Sequence, residues 1–406
     1  MELTVSLPQF HPAQTEIWKN RKRYNVLCCG RRFGKTFFVT RLLCETALDG
    51  QPVGYFAPSY KLLREVFEEC RRRLAPIITS ANLTDKVIRL VTGGHIDFWT
   101  LEDPEAGRSR KYKRVIIDEA GLVRNLGEVY NAAIRATLTD LIGDLWLCGT
   151  PKGKGYFFTA YTNGQDPEKP NWASWQKPTR LNPFLPASEI EEARLEMPER
   201  LFRQEYEAEF LDDAGGVFMG VDNVLTSDGQ GIAASIGLDL AKVNDFTVIT
   251  ALTAHGKQLA IDRFNRMPWE NLLSRIVAFI ERFPGASVWV DATGGVNTVP
   301  DQLRQMMPGR HIESFIFTNQ SKNDLISNLQ LKIEQQTISL LDDPVQTSEL
   351  KAYEYIFNAK TRNVSMNAPE GLHDDTVCAL ALAAWPLKIG KPGFSFDPTD
   401  WALAMR

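Results

Sequence analysis

No apolar run in this 406-residue chain approaches the roughly 18–20 residues that a membrane-crossing helix needs. The N-terminal Met1-Glu2-Leu3-Thr4 has neither the basic start nor the apolar stretch of a secretory signal. Five scattered histidines make a poor zinc site. The six cysteines lack metal spacing, Cys28 and Cys29 being adjacent and Cys44, Cys70, Cys148 and Cys378 standing apart. Reduced thiols in a cytoplasmic compartment are therefore expected. Internal repeats and low-complexity segments are missing. So is a uniformly basic coat, since 46 Lys and Arg face 50 Asp and Glu for a net charge of −4. Local patches still decide nucleic-acid binding. Arg21-Lys22-Arg23, Arg71-Arg72-Arg73 and the run from Arg108 to Arg114 are three such patches. Each, taken singly, reads as a solvated helix face or loop.

What is present is a globular composition, 44% apolar and 24% charged, over a length that suggests two or three domains. The first half alternates short apolar runs with helical patterns, as parallel α/β folds do. Strands are expected at Tyr24–Cys29, Gly54–Ala57, Val115–Ile117 and Leu145–Cys148, and helices at Thr36–Leu48 and Lys61–Leu74. Val87–Leu90 and His95–Thr100 flank Gly93-Gly94 and predict a hairpin. Residues 161–186, rich in Pro, Asn and Gly, read as irregular. Ser188–Phe210 reads as a charged helical region interrupted at Pro198, and Asp212–Gly216 as a linker. Beyond it Ser235–Leu240, Thr247–Thr253 and Gln258–Phe264 predict an antiparallel meander. The helix Trp269–Phe283, the strand Ala286–Val290, the helices Asp301–Met306 and Lys322–Gln335, and a late apolar helix Asp374–Ala384 follow. The expected division is an α/β domain with a parallel-type sheet over 1–212, its segment 161–212 forming an irregular and helical lid. A linker over 213–230, an RNase H-like domain over 231–390 and a loose tail over 391–406 complete it.

Residues 29–36 read Cys-Gly-Arg-Arg-Phe-Gly-Lys-Thr, directly after an apolar strand and opening a helix. In a phosphate-binding loop the backbone N–H groups wrap the phosphates, a lysine reaches the terminal ones and a hydroxyl holds Mg²⁺. Gly30, Gly34, Lys35 and Thr36 fit that pattern in the required context. Arg31 and Arg32 sit inside the loop as candidates for phosphate contact; a solvent-facing charge pair is the bland alternative. Residues 114–119, Arg-Val-Ile-Ile-Asp-Glu, end a buried strand in two carboxylates. Asp118 there suits the magnesium shell and Glu119 suits polarising the attacking water. An isolated Asp-Glu is commonly a helix start, but that does not account for both motifs in this order. Gln14, upstream of the first strand, is a weaker candidate for pairing with an adenine edge and selecting ATP.

A second acidic set lies in the other half. Asp239 interrupts the strand Ile236–Leu240, Asp291 ends a buried strand, and His373-Asp374-Asp375 opens the late helix. Buried strands avoid carboxylates unless a charge compensates them, and metal ions do so well. Two strand acids and one helix-start acid suit two Mg²⁺ or Mn²⁺ ions about 4 Å apart for in-line phosphodiester cleavage. Asp374 also reads as a helix N-cap, and Asp245 as a turn former.

Both motif sets, in this order, resemble the large terminase subunit of tailed bacteriophages, the DNA-packaging motor. The matching pieces are Gly30–Thr36, Val115–Glu119, Gly149-Thr150-Pro151, Pro198–Phe210, Gly237–Asp239, Asp291 and His373–Asp375. The run Pro198-Glu199-Arg200-Leu201-Phe202-Arg203-Gln204-Glu205-Tyr206 is the most specific of them. The resemblance implies an ATPase that moves double-stranded DNA into a procapsid, joined to a nuclease that cuts concatemeric DNA. It implies ATP and Mg²⁺ at the first site, two Mg²⁺ or Mn²⁺ at the second, and no membrane. Partners would be DNA, a portal protein, a small terminase subunit and further copies in a ring, five being the expected number. The setting would be the bacterial host cytoplasm and, transiently, the procapsid portal.

Carried onto this chain, Lys35 and Thr36 bind phosphate and Mg²⁺, Asp118 holds Mg²⁺, Glu119 is the base and Gln14 the adenine reader. Gly149 and Thr150 belong to the motif that couples hydrolysis to movement. Asp239, Asp291 and Asp375 are metal ligands, with Asp374 the rival third ligand. An arginine from a neighbouring subunit completes the ATPase site, Arg135 being the first candidate and Arg124 the second. Two departures stand out. Cys29 replaces a loop glycine, and Cys378 stands where many relatives carry a further acid. The rival readings are a cellular ATPase-nuclease of DNA repair and a non-catalytic DNA-binding assembly protein.

Overall fold

The structure, a computed structural model, describes residues 4–103, 105–123, 125–211, 216–240, 246–293, 298–358, 363–369 and 372–387. Arg124, Asp245, most of the 212–216 linker and the tail from 391 lie outside the described residues. The chain divides into two compact units, Met1–Asp213 with Phe357–Asn363 and Ala214–Ile356 with Val364–Arg406.

The first unit is organised by one eight-stranded sheet. Its strands are β1 Tyr24–Cys29, β2 Pro52–Ala57, β3 Ile78–Asn82, β4 Val87–Leu90, β5 His95–Thr100, β6 Arg114–Ile117, β7 Asp144–Gly149 and β8 Trp172–Lys177. The spatial order is β3-β4-β5-β2-β6-β7-β1-β8. The six strands from β5 to β8 are parallel, and β3-β4-β5 form an antiparallel appendix that contains the expected hairpin. Central strands β1, β6 and β7 are buried almost throughout because apolar clusters cover both faces. That is why they read as continuous apolar runs rather than alternating ones.

β8 corrects the expectation of irregular chain over 161–186. Trp172 stacks on Tyr24 at 4.9 Å and Trp175 on Trp146 at 6.3 Å, so two indoles anchor an edge strand that its polar neighbours disguise. The same stretch also holds the end of the helix Tyr156–Gln165. The helical region expected over Ser188–Phe210 is two helices, Ala187–Glu196 and Glu199–Glu205, broken at Pro198. Residues 206–210 leave the helix.

In the second unit, β9 Leu225–Thr226 is followed by β10 Ala233–Asp239, β11 Thr247–Thr253, β12 Gln258–Phe264, β13 Ser287–Asp291 and β14 Ile312–Phe315. β15 Leu340–Leu341 pairs with β9, and β16 Glu354–Asn358 with β17 Asn363–Asn367. The main sheet runs β12-β11-β10-β13-β14, with the meander antiparallel and β13 and β14 parallel to β10. This is the RNase H-like order expected. The helix Asp375–Ala384 is buried along its length and lies flat on β10. Gly237 permits that approach, because a Cβ there would collide with the Ala379 carbonyl and the Ala383 amide.

Candidate functional site

In the first unit the chain leaves β6, β7 and β1 at the same edge, and these three strands are adjacent in that order. The carboxyl edge of a parallel sheet is where α/β proteins place ligands. The loop after β1 carries Gly30–Gly34, the end of β6 carries Asp118-Glu119, and the end of β7 carries Gly149-Thr150. Together with Gln14, Arg31, Arg32, Gly34, Lys35, Thr36 and Glu119, residues of the 182–205 segment line one cavity of about 920 Å³.

Lys35 is the centre of the arrangement. Its side chain is buried at 9% exposure, yet its Nζ donates to Thr150 Oγ1 at 3.0 Å and to the Cys29 carbonyl at 3.5 Å, and lies 3.9 Å from Glu119 Oε1. Asp118, beside it, accepts from Tyr55 Oη at 3.1 Å and from the Glu119 amide at 2.9 Å. Burial, then the Glu119 charge, pushes the Asp118 carboxyl from 3.8 up to about 6, against the pull of its hydrogen bonds and of Lys35. Glu119 takes a left-handed backbone, φ 46°, an uncommon conformation for a non-glycine residue. Thr36 is exposed at the helix start, and Gly149 packs against the amides of Ala120 and Gly121.

The loop is held from outside. The Gly30 amide donates to the Lys177 carbonyl, and a Cβ at Gly30 would collide with Thr179 Oγ1 and the Tyr206 carbonyl. Thr179 Oγ1 donates to the Arg31 carbonyl at 2.7 Å and Asn182 Nδ2 to the Arg32 carbonyl at 2.6 Å. Arg31 lines the same cavity and is paired within the chain. Its Nε donates to Glu205 Oε2 at 2.6 Å, so its charge is matched within the chain. Arg32 is exposed, with φ 61°.

Both ends of the buried Gln14 amide are engaged, Nε2 donating to the Gly34 carbonyl at 3.0 Å and Oε1 accepting from the His11 amide. In this state it steadies the loop Gly30–Gly34. His11, its ring 3.0 Å from the Phe33 carbonyl and its pKa lowered by burial, does the same one residue earlier. Arg135 follows a π-helical turn, Tyr130–Ile134, and is exposed outside the residues lining the cavity.

In the second unit β10 and β13 are parallel neighbours with Leu238 opposite Val290, so Asp239 and Asp291 end adjacent strands. The Asp375 helix lies on the same strand. Burial pushes the Asp239 carboxyl well above the usual range, and the charges of Asp291, Asp375 and Asp374 push it further; Lys322 opposes them. The three expected acids are thus electrostatic neighbours, and an oxygen-rich donor set of this kind suits a hard divalent cation. Among the described residues, however, no three His, Cys, Asp or Glu side chains converge into a ready metal cage. Two of the carboxylates have local donors. Asp291 Oδ1 accepts from the Thr293 amide and hydroxyl, and Asp375 Oδ2 from the Phe246 amide at 3.2 Å.

Asp374 occupies the N-cap position of its helix but makes no capping bond. Its carboxylate turns instead to Lys322 Nζ at 2.9 Å and Tyr353 Oη at 3.3 Å. Lys322 and Tyr353 carried no signal in the sequence, since both arrive by tertiary packing. Cys378 is buried beside the acids, which with burial raise its thiol far above the usual range. The basic runs are largely neutralised. Arg71, Arg72 and Arg73 pair with Glu68 and Glu69, while Arg108, Arg110, Lys111 and Arg114 pair with Glu105, Asp97, Asp140 and Asp144.

The chain matches the family model described as terminase large subunit, T4likevirus-type, N-terminal, over residues 26–222. It is 26% identical to the large terminase subunit of Thermus virus P23-45, across 95% of this chain and 89% of that one. The corresponding protein of Escherichia phage T5 is 24% identical, across 91% and 88%. The large terminase of a thermophilic bacteriophage, solved in complex with ADP, shares the fold with a TM-score of 0.54 at 14% identity. That match covers 94% of this chain and 100% of the other. With the model spanning residues 26–222 and the relatives aligned over nine-tenths of the chain, this protein is similar to phage large terminase subunits along nearly its whole length.

Proposed function

We propose that this chain couples ATP hydrolysis to double-stranded DNA translocation into a procapsid and cuts concatemeric DNA with a two-metal endonuclease. An ATPase domain over 1–212 and a nuclease domain over 231–390 would divide the two tasks. The observation that carries the reading is Lys35 Nζ, suspended between Thr150 Oγ1 and Glu119 Oε1 inside a cavity large enough for a nucleotide. An arriving terminal phosphate offers the ammonium better acceptors than either partner. Lys35 then shifts to the phosphate, and two groups are released at once. Glu119 becomes free to take a proton from the attacking water. Thr150, at the end of β7, loses its bond to Lys35 and so registers whether a phosphate is present. Thr36 and Asp118 are the residues that would hold Mg²⁺, which neutralises charge building on the transferring phosphoryl group.

In the second unit Asp239, Asp291 and Asp375 would hold two Mg²⁺ or Mn²⁺ ions, which activate water and stabilise the leaving oxygen. The exposure of Arg135 away from its own cavity suits donation to a neighbouring copy in a ring. Double-stranded DNA, a small terminase subunit and a portal protein are the partners the family reading supplies, in the host cytoplasm and at the procapsid portal.

One preparation tests this by plasmid digestion with Mg²⁺ or Mn²⁺ beside a DNA-stimulated ATPase assay. Lys35→Ala should abolish ATP hydrolysis and spare nicking, while Asp239→Ala should do the reverse. Cutting without ATPase activity in the unaltered protein, or neither activity, refutes the combined reading.

A further inference from the structure

A buried carboxylate outside the acidic set requires its own explanation, and Glu349 on the helix Pro344–Ala352 is one. Its Oε2 accepts from the Thr376 amide at 2.9 Å and from the Thr376 hydroxyl at 2.5 Å. Thr376 is the second residue of the helix that begins at Asp375, and its amide is one that an N-cap side chain ordinarily takes. The residue in the N-cap position, Asp374, does not take it, because Lys322 and Tyr353 hold its carboxylate elsewhere. The capping bond therefore comes from a different helix. We infer that Glu349 is a positioning residue of the nuclease site, capping the helix from outside so that Asp375 stays turned toward Asp239.

The surroundings favour that role over simple packing. The bond is made where the helix has no carbonyl of its own to offer. It fixes the start of the helix both along and about its axis, one residue from Asp375. On the other side Asp375 Oδ2 accepts from the Phe246 amide, and the Phe246 ring lies under the Arg263 guanidinium at 3.3 Å. Arg263 Nη2 is in turn 3.8 Å from Glu349 Oε1. Glu349, Thr376, Asp375, Phe246 and Arg263 thus close a ring of contacts around the helix start. Burial raises the Glu349 carboxyl, and the Thr376 bonds and Arg263 oppose that rise. The division of labour also separates the two adjacent acids. Asp374 is bound to Lys322, Thr376 is bound to Glu349, and Asp375 between them adds its charge to those that raise the Asp239 carboxyl.

The inference rests on the nuclease reading, and the test separates the two. Glu349→Ala and Glu349→Gln are compared in the full-length protein by Mn²⁺-dependent plasmid cleavage and by hydrogen exchange of the 375–380 amides. The glutamine carbonyl can still accept from Thr376. Glu349→Ala should lower kcat for cleavage by roughly tenfold to a hundredfold, as expected for a misplaced reacting group, with KM for DNA unchanged. It should also speed exchange at Thr376, and Glu349→Gln should restore both. Unchanged cleavage and exchange in Glu349→Ala overturns the inference, and so does a glutamine variant as impaired as alanine. If unaltered protein fails to cut, the nuclease reading falls, and the exchange data alone still decide whether Glu349 holds the helix.

Discussion

Asp118 offers the sharpest quantitative test of the proposed ATPase site, because its environment penalises the charged form that the proposed chemistry needs. Its carboxyl is held near 6 in the folded protein against an ordinary 3.8. The folded state therefore binds this proton more tightly than the unfolded chain does. Stability is lost as pH rises from about 3.8 to about 6 and is constant above that. The full difference is worth about 3 kcal/mol, at about 1.4 kcal/mol for each factor of ten. Asp118→Asn removes the charge but keeps only one acceptor where Tyr55 Oη and the Glu119 amide both donate. One lost hydrogen bond costs about 1 kcal/mol. A net gain of about 2 kcal/mol is left near neutral pH, or about 4–8 °C in Tm for a domain of this size.

Near pH 4.5 the penalty on the aspartate has shrunk to about 1 kcal/mol, and the two effects cancel. Calorimetric melting of both proteins at the two pH values, without nucleotide or metal, measures this. An ATPase-dead Asp118→Asn protein that gains stability at high pH and not at low pH is the expected result. A variant no more stable than the parent near pH 7.5 would show that Lys35 and the hydrogen bonds already satisfy the charge, and the argument would be wrong.

Two other outcomes follow from the second unit. Gly237→Ala forces a methyl against the backbone of the Asp375 helix, costing about 1–3 kcal/mol of overpacking. Cleavage should fall far more than ATPase activity, and equal loss of both would contradict the packing argument. Metal binding to the free protein should be weak and should strengthen when DNA is present. No three acids converge beforehand among the described residues, and Asp291 and Asp375 are held by local donors. Calorimetry that found tight binding of two Mn²⁺ ions without DNA would refute it.

The legible part of this molecule is the part whose chemistry demands a local chain pattern. A phosphate-binding motif predicts a strand, a loop and a helix in immediate succession, and Tyr24–Leu48 has that succession. The acids at 118, 239 and 291 stood out because buried strands rarely tolerate carboxylates. Spacing could also have revealed that Arg71, Arg72 and Arg73 are matched by Glu68 and Glu69, three or four residues earlier on one helix face. What stayed hidden depends on contacts between distant segments. Glu349 reaches Thr376 across 27 positions, and Lys322 reaches Asp374 across 52. The bonds that tie the Gln14 amide to His11 and Gly34 likewise come from a fold that sequence spacing does not encode. β8 was missed because its anchoring indoles sit in a stretch whose Pro, Asn and Gly dominate the local signal.

The two acidic centres face the same electrostatic problem with different resident cations. In the first unit Lys35 stands 3.9 Å from Glu119 and counteracts the strain on Asp118, so the pair keeps a compensating charge before nucleotide arrives. That charge is mobile, since a phosphate can draw it away from Thr150 and Glu119 together. In the second unit the neighbouring ammonium, Lys322, is fixed by Asn367 and Asp374 and eases Asp239 only from a distance. Under the proposed nuclease reading, the repulsion of Asp239 by Asp291 and Asp375 would be left for ions to relieve. Acids that repel one another until metal and DNA arrive together would, under that reading, keep the site inactive by default. Asp374→Asn tests that logic directly. Removing its charge loosens the hold on Lys322, which should swing toward Asp239 and weaken Mn²⁺ binding even though the substitution removes a repelling carboxylate. Stronger Mn²⁺ binding in that variant would show that repulsion alone, and not the tethering of Lys322, sets the affinity.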